Sequence, residues 1–398
     1  MTERQTRIGD IARVVAGGTP PRGVATYYGG SIPWVKTLDL NCGAVTNSEE
    51  HITAEGLSAI RGELNPPGTV MVAMYGGAGT IGKSGVLGIE AATNQAVASV
   101  LPNPKVFDSH FLHFQLMHIR GEWMRFSQGN RKDPNINKSV VEDMMVWVPV
   151  EVPEQVAIAA TLSGQLAEVD AARQAAEAQL RDITLLRSRT LKTIFAELGA
   201  APRKILGDHA TTMSGVTPSR GDNAYWQPAE IPWVKTGEVA FAPITATEES
   251  ISAKALAECS LALLPPKTVL IAITGEGKTR GRSAVLEVPA TTNQHSVAVL
   301  PNVTWESDFL QLWLQSSYLD LRQLSEGRGG SRSALSGAQI KALQVPTPDR
   351  TVQQDIVQRA QAAMATIDTM EQACKASLKD IEQLPQRILA QAFEQVAA

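Results

Sequence analysis

The chain is one unit repeated twice. Ile32-Pro33-Trp34-Val35-Lys36-Thr37 returns letter for letter as Ile231-Pro232-Trp233-Val234-Lys235-Thr236. Ahead of that block, Ala16-Gly17-Gly18-Thr19-Pro20-Pro21-Arg22-Gly23 corresponds to Ser214-Gly215-Val216-Thr217-Pro218-Ser219-Arg220-Gly221. Behind it, Pro66-Pro67-Gly68-Thr69-Val70 corresponds to Pro265-Pro266-Lys267-Thr268-Val269, and Thr93-Asn94-Gln95 to Thr292-Asn293-Gln294. Leu101-Pro102-Asn103 likewise matches Leu300-Pro301-Asn302. The offset holds at about 198–199 residues, far longer than a solenoid period, so it marks two copies of a domain-plus-tail unit. The 398 residues, 43% of them apolar, suffice for two or three cores rather than one.

Each copy has two parts. The first is rich in Gly, Pro and short apolar runs. Val70-Met71-Val72-Ala73-Met74 and Val269-Leu270-Ile271-Ala272-Ile273 read as buried strands, each introduced by a Pro-Pro turn. Residues 95–101 and 295–300 are further strands, while 111–126 and 309–324 read as helices. This part is a mixed α+β globule. The second part is helical: from Glu154 to Glu197 there is no Pro and one Gly, amid Ala, Leu, Gln, Glu and Arg. In copy two, Ile356, Ala360, Ala363, Ile367, Met370, Cys374, Ser377, Ile381, Leu384 and Ile388 recur in steps of four and three, a heptad seam. Its counterpart runs through Leu162, Leu166, Val169, Ala176, Leu180, Ile183, Thr190 and Ile194, interrupted by Arg173 and Arg187. A helix this long spans roughly 66 Å and needs a partner along its whole apolar stripe. Connectivity makes the other copy's helix an antiparallel partner, with Pro385 expected to kink or interrupt the second helix. The expected fold is therefore α+β: two homologous mixed α/β domains separated by two long helices that form an antiparallel coiled coil. The boundaries are a first globule at 1–152, a central helix at 153–199, a second globule at 200–350 and a C-terminal helix at 351–398.

Bulk properties narrow the function. Net charge is −4 and the pI about 5.9, so any nucleic-acid surface is local rather than global. Cys42, Cys259 and Cys374 form no C-x-x-C pair, which suggests neither a disulfide framework nor a zinc site and points to a reducing cytoplasm. The opening MTERQTRIGD lacks the apolar core of a signal peptide, and no run approaches the ~18 apolar residues of a membrane span.

Three motifs resemble catalytic signatures. Residues 77–84, Gly-Ala-Gly-Thr-Ile-Gly-Lys-Ser, fit the P-loop pattern, in which backbone N–H groups cradle phosphates and the Lys reaches the terminal ones. The repeat reads Glu276-Gly277-Lys278-Thr279-Arg280-Gly281-Arg282-Ser283, and the stretch after Ser84 looks extended rather than helical. A Gly-rich hairpin carrying a basic side chain explains it better. Asn65-Pro66-Pro67-Gly68 resembles the N-P-P-aromatic of amino-methyltransferases but lacks the aromatic residue, and copy two reads Leu264-Pro265-Pro266-Lys267. His110, His113 and His118 near Glu122 have no standard metal-ligand spacing; helix surface and packing account for them. The chain therefore reads as non-catalytic, with no catalytic residue, cofactor site or metal site of its own.

Nucleic-acid readout needs Arg, Lys, Asn and Gln on loops held by a rigid globule. The stretch 128–138 supplies Asn130, Arg131, Lys132, Asn135, Asn137 and Lys138 in a Gly/Pro context, and its counterpart supplies Arg328, Arg332 and Ser333. Weaker candidates are Arg22, Lys36, Lys83 and Asn94, with Arg220, Lys235, Lys278, Arg282 and Asn293. Lys36 and Lys235 sit inside the identical block, which suggests backbone contact or framework rather than base discrimination.

In order and twice over, these features resemble the specificity (S, HsdS) subunits of type I restriction–modification systems. Each unit opens Ile8-Gly9-Asp10 or Leu206-Gly207-Asp208, then runs through the Thr-Pro, Ile-Pro-Trp-Val-Lys-Thr, Gly-turn and Thr-Asn-Gln blocks. Each closes on Val148-Pro149 or Val345-Pro346, then Gln155 or Gln353-Gln354, and ends its helix at Phe195 or Phe393. The resemblance implies two target recognition domains on double-stranded DNA, and because the two basic stretches differ, the expected bipartite site is asymmetric. The resemblance also implies helices that set the gap and dock two methyltransferase (M) subunits. S-adenosylmethionine and ATP would then be needed only by partners, the M subunits and a restriction (R) motor-nuclease. Two other readings stay open: a P-loop-like nucleotide-binding enzyme, and a coiled-coil scaffold that never touches DNA.

Overall fold

The computed structural model describes residues 4–76, 79–126, 135–148, 151–275, 277–325 and 334–396. It divides into two compact units: residues 1–176 with 377–398, and residues 177–376. Each unit is a globule together with part of each long helix.

In the first unit the central sheet has five strands, in the order Val14–Ala16, Val97–Val100, Val70–Ala73, Ser84–Leu87 and Ala44–Val45. The predicted strand 70–74 lies at its centre, buried on both faces, as an uninterrupted apolar run requires. A three-stranded sheet joins Glu50–Ile52, Tyr28–Val35 and Ala92–Thr93. A two-stranded ladder pairs Arg4–Arg7 with Met145–Val148 and closes the globule. The second unit repeats the plan. Its four-stranded sheet runs Thr212–Ser214, Ser296–Val299, Val269–Ala272 and Ser283–Val285; the fifth strand is reduced to one bridge between Ile244 and Leu286. The helix predicted at 111–126 is an α-helix at Ser109–His118 followed by 3-10 turns to Phe126. That at 309–324 is split into Ser307–Ser316 and Tyr318–Gln323.

The repeated words of the sequence meet in space. Gly17 lies so close to the Thr93 carbonyl that a Cβ would sit 1.7 Å from it; at Gly215 the Thr292 carbonyl would be 1.6 Å away. Only glycine lets the backbone pass there, and the next residue then donates its N–H to that carbonyl, in both copies at 3.0 Å. The Trp34 indole donates to the Gly18 carbonyl and the Trp233 indole to Val216, each at 3.1 Å. Thr19 bonds Gln95, and Thr217 bonds Gln294. The Thr-Pro, Pro-Trp and Thr-Asn-Gln blocks are therefore one hydrogen-bonded junction between the two main sheets of each globule.

The long helices run Val152–Ala196 and Arg350–Val396. Each begins by bolting itself to its own globule through a buried glutamine. The Gln155 amide accepts from the Asp108 N–H at 2.9 Å and donates to the Val106 carbonyl at 3.1 Å. Gln353 accepts from Glu306 N–H at 2.8 Å and donates to Thr304 at 3.0 Å. The helices pack antiparallel. Ala159 and Leu162 meet Leu389 and Phe393 in the first unit; Leu191, Ile194 and Phe195 share a core with Ile356, Val357 and Ala360 in the second.

Two expectations are corrected. Of the kink or interruption expected at Pro385, the interruption does not occur: the second helix continues through it. The lost bond to the Ile381 carbonyl is tolerated because Leu389 and Phe393, one and two turns on, are buried against the globule. The seam also departs from strict heptads. Met370 and Ser377 are exposed, and Glu371 turns partly inward. A 3.6-residue period drifts against a 3.5-residue repeat. Arg187, an interruption in sequence, is the partner Glu371 finds there at 2.9 Å, with Asp368 at 2.6 Å.

The close approach at Gly215 gives a direct test. Gly215→Ala forces the Thr292 backbone to move and should cost about 3 kcal/mol or more of stability. Gly221→Ala, whose Cβ would meet only the Ser219 hydroxyl at 3.9 Å, should cost little. Urea midpoints of the two variants check this.

Candidate nucleic-acid interface

The candidate residues fall into two groups in each globule. The first group lies on and beside the three-stranded sheet. Arg22 stacks over Tyr28 at 4.7 Å and Trp34 at 5.2 Å, and its guanidinium meets both oxygens of Glu50, at 2.6 and 3.3 Å. Lys36 reaches the same carboxylate at 2.7 Å and Glu49 at 3.0 Å. The second globule repeats this: Arg220 lies over Trp226 at 3.9 Å and Trp233 at 5.1 Å and pairs with Glu249. Lys235 pairs with Glu248 and, at 3.2 Å, with Glu249. The two cations hold the Glu50 carboxyl down at about 2, Arg22 contributing most; Glu249 is lowered by the same arrangement.

The second group gathers where the central sheet's hairpin turns. Lys83 and Lys278 make no ion pair among the described residues, and Lys278 is exposed. Arg282 lies 5.8 Å over the Phe241 ring, with its Nε buried and unpartnered among the described residues. Each turn is strapped down by the helix beside it: Arg120 donates to the Gly79 carbonyl at 2.7 Å, and Arg322 to Gly277 at 2.7 Å. At the same end, Ile136 N–H bonds the Met74 carbonyl at 3.0 Å and Leu335 N–H bonds Ile273 at 2.8 Å. Asn130, Arg131, Lys132, Arg328, Arg332 and Ser333 lie outside the described residues.

Several candidates have local structural tasks. Asn137 caps the helix Lys138–Asp143 by accepting from Val140 N–H at 3.0 Å. Lys138 pairs with Glu142 at 2.7 Å, and Asn135 is half-buried. Asn94 accepts from the Ala96 N–H at 3.0 Å. Asn293 is buried and accepts from Thr236 and the His295 N–H. The groups that sequence reasoning missed are the carboxylates Glu49, Glu50, Glu248 and Glu249 and the rings Tyr28 and Trp226. The signal was available: Glu49-Glu50 returns at the repeat offset as Glu248-Glu249.

The catalytic-looking motifs resolve into packing. The Gly turn feeds the strand Ser84–Leu87, not a helix, and Gly82 packs against Trp123. Ser84 is buried under His113, 3.0 Å from its Nδ1. Asn65 is buried with its amide bonded to the Ala91 carbonyl.

A model of the type I restriction modification DNA specificity domain matches residues 4–177 and again residues 204–380. The chain belongs to this family. Its curated relatives include the specificity subunit of type I restriction enzyme EcoR124I/EcoR124II from Escherichia coli, 26% identical over 161 residues, 40% of each chain. Another is the MjaIX specificity subunit from Methanocaldococcus jannaschii, 29% identical over 168 residues, 40% of this chain and 38% of the relative. These matches thus span about two fifths of the relatives' length. Among solved structures, a chain described in the assembly and conformational transition of the type I R-M system is 15% identical with a TM-score of 0.77. It covers 98% of this chain and 97% of that one. The HsdS subunit from Thermoanaerobacter tengcongensis is 15% identical with a TM-score of 0.58, over 98% and 96%. At that identity the likeness establishes the specificity-subunit fold alone.

One titration separates the two specificity domains. Burial pushes the His113 imidazole down to about 4, below the ~6.5 of an unfolded chain. The unfolded state therefore takes up a proton first, and stability falls as pH drops from about 6.5 toward 4. His113→Gln installs the residue the second domain uses, Gln311, and removes this linkage. Between pH 7.5 and 5, wild type should lose about 2 kcal/mol more than the variant, read from urea midpoints at both pH values.

Proposed function

We propose that this chain is the DNA-specificity subunit of a type I restriction–modification complex. Each globule is a target recognition domain that reads one half of a bipartite site in double-stranded DNA. The observation that carries this is the double match of one DNA specificity domain to a single chain. The Arg, Lys and amide groups at the hairpin turns and on the flanking stretches supply base and phosphate contacts. Those stretches differ between the copies, so the two half-sites differ and the target is asymmetric.

The long helices set the unspecified gap and dock two methyltransferase subunits. In support, Val156, Leu185, Leu186, Val352 and Met370 leave apolar surface exposed on the helices. The chain itself is non-catalytic: S-adenosylmethionine serves the methyltransferase partners, and ATP a restriction motor-nuclease. Its place of action is the cytoplasm; no helix among the described residues is long and apolar enough to cross a membrane.

The test is genome-wide mapping of N6-methyladenine in cells carrying the partner methyltransferase, with and without this chain. A single split motif with a fixed gap should appear only when the chain is present. No new motif, despite an assembled and active complex, would leave the scaffold reading in its place.

A further inference from the structure

The cluster that recurs most faithfully in the two globules is also one that sets its own cations against carboxylates. Arg22, Lys36, Glu49 and Glu50 sum to zero formal charge, as do Arg220, Lys235, Glu248 and Glu249. The cluster is open on its arginine side: the Arg22 side chain is 58% exposed, Glu50 30% and Lys36 17%. It borders an open cleft of about 390 Å³ lined by Arg22, Tyr28, Gly29, Glu49, Glu50 and His51. The arginine pairs are the exposed part of the cluster and contribute little to stability, so folding alone is a weak reason for building them twice. The geometry has a more specific use. The Glu50 carboxylate, accepting the Arg22 guanidinium on both oxygens, presents the same forked acceptor as a phosphate; Glu249 shares its two oxygens between Arg220 and Lys235. The aromatic rings beneath Arg22 and Arg220 fix each guanidinium in place whichever anion it holds.

We propose that Glu50 and Glu249 are internal stand-ins for DNA phosphates, holding each Arg–Lys pair assembled but masked until a backbone phosphate displaces the carboxylate. This rests on the DNA reading above and adds a regulatory step to it. A chain of net charge −4 whose anchoring cations are masked binds arbitrary duplex weakly. Only where the base contacts also form is exchange of carboxylate for phosphate favourable. The carboxylates thus suppress non-specific binding more than specific binding.

The test compares wild type with the double variant E50Q/E249Q, full-length and assembled with the methyltransferase, on a short duplex lacking the target and on one containing it. Affinities are measured between about 50 and 200 mM salt. For the non-target duplex, the variant should bind about tenfold more tightly at the lower salt, with a log–log salt slope steeper by about one unit per unmasked cation. The gain on target should be smaller, so the specificity ratio falls. Adding R22A/R220A should abolish the gain. Unchanged affinity and slope would make the cluster framework only, and weaker binding would mean that the carboxylates position the cations; either overturns the proposal. Should E50Q/E249Q fail to fold, E49Q/E248Q, which touches only the lysines, must show a smaller gain of the same sign, and its absence overturns the proposal equally. Failure of the wild-type complex to bind any duplex would instead remove the DNA reading itself.

Discussion

A helix of 45 residues has no stability of its own in water unless its apolar stripe is covered, and in this molecule the cover is reciprocal. Phe393, near the end of the second helix, stacks edge-on against Phe111 of the first globule, with ring centroids 5.6 Å apart. Phe195, its counterpart in the repeat, packs at 5.5 Å against Phe309 of the second globule. Each helix starts on its own globule through a buried glutamine and ends on the globule of the other copy. Neither repeat is complete without the other's tail, and the pairing of the helices follows from that exchange.

The same reciprocity explains what each globule can vary. Its junction of glycine, tryptophan and Thr-Asn-Gln is made of close backbone approaches and part-buried tryptophan hydrogen bonds, in which one lost partner leaves a group unsatisfied. Its hairpin turns lie at the end of a sheet whose strands are fixed elsewhere. Side chains can diverge there while the frame stays the same, as in the two copies: Lys83 beside a turn in one, Lys278 and Arg282 in the other.

The architecture was legible because it is written in patterns that physics reads directly. Apolar runs gave the central strands, and a stretch with no Pro and a single Gly gave the first long helix. The repeat showed which residues were equivalent before any geometry was known. What escaped was what depends on partners distant in sequence. Arg187 looked like a flaw in the seam until Asp368 and Glu371 came opposite it. Pro385 looked like a break because sequence shows the lost hydrogen bond but not the burial of Leu389 and Phe393 that outweighs it. The carboxylate partners of Lys36 were not legible, because Glu50 pairs with two cations on different segments.

The central claim is that two interchangeable reading domains ride on one shared helical frame. It is tested most directly by replacing residues 4–148 with a second copy of residues 202–345, assembling the chain with its methyltransferase and mapping N6-methyladenine. Two identical half-sites, with the original gap between them, is the predicted outcome. Persistence of the parental asymmetric motif in an intact complex would contradict it, because sequence would then be read somewhere other than in the two globules.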